Sequence, residues 1–410
     1  MINRDEIRIL IDGLARHFES RPLSSDEDEL EGGSGWGQFL DGPPQQHQIG
    51  PYGTCAGMII RALAGRGSDQ LCGEVSSMLT YWWDARNKSA QFRKLFAQTT
   101  RLALLHLALR MAGTPDVQQA LTEVRSVLFS TVRPDGMWGD YTLPGVAEDP
   151  SPRLLPTAIA VLSFVLFKNP EEQIPEVLYR ATGRLEERLL GSRDLPLLHV
   201  AAASAAIIGV NGAKASKQIR RQITRIAYKT LPALPELGVY FYDVGYNKDN
   251  GEIEFTRDYF IVPTEVLLGI AGYQDGAPTY LRLRAESSLR LLSRNLRGYD
   301  GYYRPDNEQR VSSMNQLWVA MYLGMATRES PGVPTRRITF ELMKQRADAF
   351  WIDMLLLGGC LIGVLLGSLV SFPALTVTSL FVKALVAILA FVAGRLYAPA
   401  ALRKIFPGRE

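Results

Sequence analysis

Apolar positions in the first 330 residues recur at helical spacing almost throughout, and the segments they define alternate between two kinds. Arg4 to Phe18, Asp69 to Trp83, Pro115 to Ser130, Pro170 to Leu190, Lys214 to Thr230 and Thr279 to Arg297 each keep a charged face, as surface helices do. Thr54 to Ala64, Gln98 to Ala112, Pro156 to Phe167, Pro196 to Val210, Pro263 to Ala271 and Ser312 to Ala326 are apolar on most sides, which demands burial. Thr114-Pro115-Asp116 and Asn169-Pro170-Glu171 both read as a cap, a proline in the first turn and an acid, the chemistry of a helix start. Strict alternation of outer and inner helices predicts an all-α chain whose residues 1–329 close into an (α/α)6 toroid, with an open helical solenoid as the alternative.

Beyond residue 350 the pattern changes. Trp351 to Val370 is apolar apart from Asp353, and Thr376 to Leu396 is apolar apart from Lys383 and Arg395. Each run suffices for the ~20 helical residues that cross a bilayer core. Ser371 to Leu375 between them carries a proline and no charge, so the pair reads as a transmembrane helical hairpin over 350–397, after a linker and juxtamembrane segment over 330–349 and before a basic tail over 398–410. The alternative is a buried helix pair in a soluble fold. Arg336, Arg337, Lys344 and Arg346 lie before the first run, and Arg395, Arg403, Lys404 and Arg409 end or follow the second. The positive-inside rule then expects a two-span membrane protein with both termini cytoplasmic. Gly359, Gly363 and Gly367 share one face of the first span, a glycine zipper that serves either hairpin closure or oligomerisation. Lys383 sits on the facing stripe, either snorkelling outward or serving a pore or relay.

Composition adds limits. The 410 residues carry a formal net charge of +3, too little for a dedicated nucleic-acid binder. Cys55, Cys72 and Cys360 are too few and scattered for a disulfide framework or a zinc knuckle, and charges within Met1 to Ser20 rule out a signal peptide there. No cofactor and no metal is expected.

Connections into the inner helices are short before Gln98 and Pro196 but long before Thr54, Pro156, Pro263 and Ser312. In a toroid these loops gather at one mouth, with the positive ends of the inner helices. They place Trp36, Phe39, His47, Trp138, Asp140, Tyr242, Asp243, Asp300 and Tyr302 there, with Trp318 on the last inner helix, as candidate ligand-binding residues. Trp36 and Trp138 have a second reading as staples that only hold loops. A β-hairpin is expected between Tyr240 to Tyr246 and Glu252 to Phe255, around Asn250-Gly251.

Arg133-Pro134-Asp135-Gly136-Met137-Trp138-Gly139, followed by Thr157-Ala158-Ile159-Ala160, resembles the aromatic-glycine repeat of the terpenoid cyclase and protein prenyltransferase superfamily. Echoes occur at Gly35-Trp36-Gly37 with Thr54-Cys55-Ala56, and at Tyr299-Asp300-Gly301-Tyr302 with Ser312 to Gln316. The resemblance implies the toroid, and in it the repeat is structural. The squalene-cyclase-like acid motif Asp-x-Asp-Asp is missing, and no His after His199 completes the prenyltransferase zinc set. Enzymatic activity is therefore left open, with no catalytic residue assigned.

Other chemistry is sparse. His106, His199, His47 and Cys55 could approach the cavity, either as a metal site or as hydrogen-bonded core residues. Asp140, Asp243, Glu254, Asp258, Glu265 and Asp300 could pair for acid/base work as in α/α-barrel glycosidases, or be solvated. Lys214, Lys217, Arg220, Arg221, Arg225 and Lys229 crowd one outer helix, and Arg282, Arg284, Arg290, Arg294 and Arg297 load the next. That is a solvated face or a contact with anionic membrane lipids. Three functions stay open: a membrane-anchored recognition module for a hydrophobic, isoprenoid-like ligand or a protein partner; a membrane-perturbing effector whose glycine-zipper hairpins oligomerise; and a terpenoid-cyclase/prenyltransferase-like or glycosidase-like enzyme.

Overall fold

The computed structural model describes residues 2–19, 23–24, 34–37, 40, 49–88, 96–140, 154–169, 171–191, 195–229, 237–246, 253–304 and 311–328, with side chains left out at 23–24 and 226–263. The chain divides into two compact units, Met1–Ser330 and Pro331–Glu410, and every described residue lies in the first. The expected linker, hairpin and basic tail, with Gly359, Gly363, Gly367 and Lys383, lie outside the described residues.

Twelve α-helices occur among the described residues. The outer set is α1 (Arg4–His17), α3 (Gln70–Ala85), α5 (Gln118–Ser130), α7 (Glu176–Gly191), α9 (Lys217–Lys229) and α11 (Thr279–Gly298). The inner set is α2 (Pro51–Leu63), α4 (Thr99–Ala112), α6 (Leu154–Val165), α8 (Leu197–Asn211), α10 (Thr264–Gly272) and α12 (Ser313–Arg328). Each inner helix packs on the next, α2 on α4, then α6, α8, α10 and α12, and α12 packs back on α2. That last contact closes the ring and excludes an open solenoid.

Local chemistry sets the ends. Asn3 caps α1 by accepting from the Glu6 amide at 2.7 Å, and Asp69 caps α3 by accepting from the Cys72 amide at 2.9 Å. Gly113 ends α4 at φ 63°, a left-handed position that glycine takes without strain. Pro115 opens a 3-10 turn, Pro115–Val117, that leads into α5. The start expected at Pro170 is displaced to Glu176, because Pro175 denies the helix an amide and disfavours helical geometry at Ile174.

Inner helices fit together through small residues. Ala201, Ala202, Ala203, Ala205 and Ala206 of α8 are all fully buried between α6 and α10. A Cβ at Gly269 would come within 2.4 Å of the Tyr322 ring, and one at Gly209 within 2.7 Å of Val165. Every residue of α6 and α10 is buried, on the side facing the ring axis as well as the side facing the outer helices. Neither helix therefore leaves a side chain open to solvent toward the ring axis. Leu197–Lys214 is long and apolar enough to cross a membrane, and here it is a packed inner element.

Two antiparallel ribbons complete the unit. The smaller pairs β1 (Leu23–Ser24) with β2 (Ser34–Gly35). The larger pairs β3 (Leu237–Tyr246) with β4 (Ile253–Pro263), irregular between Asp243 and Gly245, and β4 runs straight into α10. This hairpin is longer than expected, since its strands run from Leu237 and on to Pro263.

Candidate functional site

Three loops enter the ring in the same way. The backbone of Trp36 is clasped by Thr54, whose Oγ1 accepts from the Trp36 amide at 3.3 Å and donates to its carbonyl at 3.4 Å. Trp138 is clasped by Thr157, at 3.0 and 3.3 Å. Tyr303 is clasped by Gln316, whose Oε1 accepts from the Tyr303 amide and whose Nε2 donates to its carbonyl, both at 2.8 Å. Each clasping residue stands one turn into an inner helix, α2, α6 or α12. Thus one side chain supplies both partners that a buried loop backbone requires. The aromatic then packs inward: a Cβ at Gly57 would strike the Trp36 ring at 2.3 Å, and the Trp138 indole donates to the Leu128 carbonyl at 2.7 Å.

Trp36 and Trp138, 1% and 0% exposed beside their clasps, pack inward and hold the fold, and Trp318 on α12 is 1% exposed. The clasped aromatic of the last repeat is Tyr303, one residue beyond the expected Tyr302. Tyr302 stacks on His17, centroids 3.5 Å apart, and His17 Nε2 bonds the Asp300 carbonyl at 2.9 Å. That face of Tyr302 is therefore taken by α1, and Asp300, exposed at φ 51°, lies on the seam where the ring closes. Phe39 and His47 lie outside the described residues; Tyr242 pairs with Asp258 and Asp243 with Arg257 across the β3–β4 ribbon.

A polar group remains at the mouth, built by the first turns of α2 and α4. The Tyr52 hydroxyl donates to Gln98 Oε1 at 2.8 Å and lies 3.3 Å from Thr100 Oγ1. The Arg101 guanidinium lies over the Tyr52 ring, 4.8 Å from its centroid. Asp140 is brought to the same turn of α4: the Thr99 amide donates to its carbonyl at 2.9 Å, and Thr99 Oγ1 to the Gly139 carbonyl at 2.5 Å. Asp140 is 8% exposed. Gln98 is 1% exposed, and its Nε2 has no hydrogen-bond partner among the described residues. Of this cluster sequence reasoning singled out Asp140 alone. The available signal was Gln98-Thr99-Thr100-Arg101, four polar residues opening an otherwise apolar helix.

Other titratable residues are structural. Glu265, a candidate mouth acid, takes Nε and Nη2 of Arg284 at 2.9 and 2.5 Å and a bond from the Ser288 hydroxyl. Arg284 is 5% exposed and so does not belong to the surface patch assigned to its helix. His106 bonds Ser163 Oγ at 3.1 Å, and burial, with the Arg110 and Arg125 charges, pushes its pKa down to about 3. It is a neutral core histidine. Burial also lowers the pKa of His199 and raises that of the Cys55 thiol far above its ordinary value. Among the described residues no three of His, Cys, Asp and Glu gather as a metal site.

At the other end of the ring, arginines meet helix carboxyl ends. Arg110 of α4 donates to the Phe164 and Leu166 carbonyls at the end of α6. Arg328 donates to the Lys168 carbonyl, and Arg220 to those of Gly212 and Gly276, beyond α8 and α10. Phe167, at φ 55°, crosses this base: a Cβ at Gly324 of α12 would lie 3.1 Å from its ring.

No protein-family profile matches the chain, and no curated protein matches it. Among solved structures it is similar to an alpha-1,6-mannanase of Salegentibacter sp. HEL1_6, an inactive variant in complex with alpha-1,6-mannotriose. The identity is 13% and the TM-score 0.48, over 78% of this chain and 99% of that one.

Proposed function

We propose that the chain is a membrane-anchored recognition module whose mouth binds a polar ligand, or a polar segment of a partner, that presents hydrogen-bond acceptors. The observation carrying this reading is Gln98 Nε2, buried in the first turn of α4 with no hydrogen-bond partner among the described residues. An unmet buried amide costs about 1–3 kcal/mol, and an accepting atom of a ligand removes that cost. Arg101 and the amino ends of α2 and α4 add positive potential beside it, which favours carboxylate, phosphate or hydroxyl oxygens. An isoprenoid-like chain fits less well, because Trp36 and Trp138 are committed to packing against Gly57 and Leu128. The apolar runs beyond residue 350 support the anchor.

A thermal-shift screen of small carboxylates, phosphates and oligosaccharides tests the reading, run on wild type and Gln98→Met. A compound that raises the midpoint of wild type and not of Gln98→Met supports it. Equal shifts in both proteins for every active compound reject it.

Asp140 favours a second reading, a hydrolase of glycosidic bonds. Such an enzyme needs a second carboxylate about 5–9.5 Å away. The acids of the β3–β4 ribbon, Asp243, Glu254 and Asp258, are the candidates, since β4 packs on α10 and α12. Release of reducing ends from an α- and β-linked oligosaccharide panel, abolished in Asp140→Asn, would establish this reading, and no release would remove it.

A further inference from the structure

The outer helices differ in charge. Basic and acidic side chains are mixed on α1 and α7, whereas α9 holds Lys217, Arg220, Arg221, Arg225 and Lys229 with no acid, and α11 holds five arginines with Glu286 as its one acid. The structure shows how these charges are used. Ile219 and Ile223 of α9 are buried at 0% and 1%, so Lys217, Arg221 and Arg225, four residues apart, form a stripe on the opposite side. All three are exposed, as is Lys214 in the preceding turn. α9 packs on α11, where Arg290 and Arg294 are also exposed. Lys214, Lys217, Arg221, Arg290 and Arg294 make no ion pair among the described residues, whereas Arg284 is spent inside on Glu265 and Arg297 on Glu6. Arg220 is occupied with backbone carbonyls. Of the acids on adjoining segments, Asp275 is exposed, Glu286 is half-buried and Glu186 accepts from Asn211.

We infer that this face of α9 and α11 docks on the surface of an anionic lipid bilayer. Lys214, Lys217, Arg221, Arg290 and Arg294, on two adjacent segments and without an ion pair among the described residues, complement a dense plane of phosphate and carboxylate headgroups. Among the described side chains of α9 and α11 no exposed aromatic, on which single-stranded nucleic acid would stack, is interleaved with these charges. The chain also continues for 80 residues beyond this unit, with two apolar runs long enough to cross a bilayer, so it has its own reason to be near one. Long Lys and Arg side chains keep the interaction electrostatic, hence sensitive to salt.

The test uses the full chain in nanodiscs of phosphatidylcholine, with and without phosphatidylserine. Amine labelling is read by mass spectrometry at Lys214 and Lys217, with exposed Lys88 at the end of α3 as the internal control. Docking predicts several-fold slower labelling of Lys214 and Lys217 in the anionic discs and no change at Lys88. High salt and the double variant Arg221→Glu with Arg290→Glu, which leaves both lysines in place, should each restore the rate. Equal labelling in the two disc types would overturn the inference, as would slowing that reaches Lys88 or survives the double variant. Protection by a DNA duplex and not by anionic discs would assign the face to nucleic acid instead.

Discussion

The two ends of the ring are held by different chemistry. At the base, Arg110, Arg328 and Arg220 bring charged donors to backbone carbonyls at or beyond inner-helix carboxyl ends, where the helix dipole is negative. At the mouth, neutral side chains, Thr54, Thr157 and Gln316, each clasp one loop. Charged caps at the base fix elements against one another, and Phe167 packs on Gly324 and Arg328 of α12 there. Among the described residues the first turns of the inner helices carry one acid, Glu265 of α10, and it is paired with Arg284. The proposed recognition site beside Gln98 lies at the mouth, and the charged caps lie at the base.

Breaking a clasped aromatic should have the largest effect. Trp138→Ala removes a fully buried indole and its bond to Leu128, and should cost about 3–5 kcal/mol in urea unfolding. At the base, Arg110→Met strands two carbonyls and should cost about 2–3 kcal/mol. If Trp138→Ala proves nearly neutral, the indole is not a staple and the mouth is not built as described.

His106 sharpens the comparison through pH. Its folded pKa, about 3, lies below the ordinary 6.5, so the unfolded chain takes the proton first. Stability from this site is complete above about pH 6.5 and falls by about 1.4 kcal/mol per unit as pH drops toward 3. His106→Gln, which has nothing to titrate, should flatten that part of the profile of urea midpoint against pH. The smallest effect belongs to the mouth: Tyr52→Phe loses one hydroxyl and should cost about 1 kcal/mol or less while weakening any ligand held beside Gln98.

The ring was legible because its period is coarse and its two helix types differ in polarity along their whole length. The repeat was legible too, since Trp36 with Thr54 and Trp138 with Thr157 recur at nearly the same separation. Which ring faces inward was not, because an aromatic beside glycine in a loop serves a ligand or a core equally well. Arg284 shows a signal overlooked: it falls between Leu281 and Ser288 on the buried stripe of α11, where a surface charge does not belong. Gln98 was missed because its importance rests on a hydrogen bond that Tyr52, 46 residues earlier, leaves unmade at the other end of the amide.

Hydrogen exchange in the presence of a stabilising compound from the thermal-shift screen tests the division between mouth and base most directly. The account predicts slowed exchange in residues 50–54 and 98–102, with amides 162–168 at the base unchanged. Protection at the base, or along α6 and α10, with no change at the first turns of α2 and α4, would contradict it.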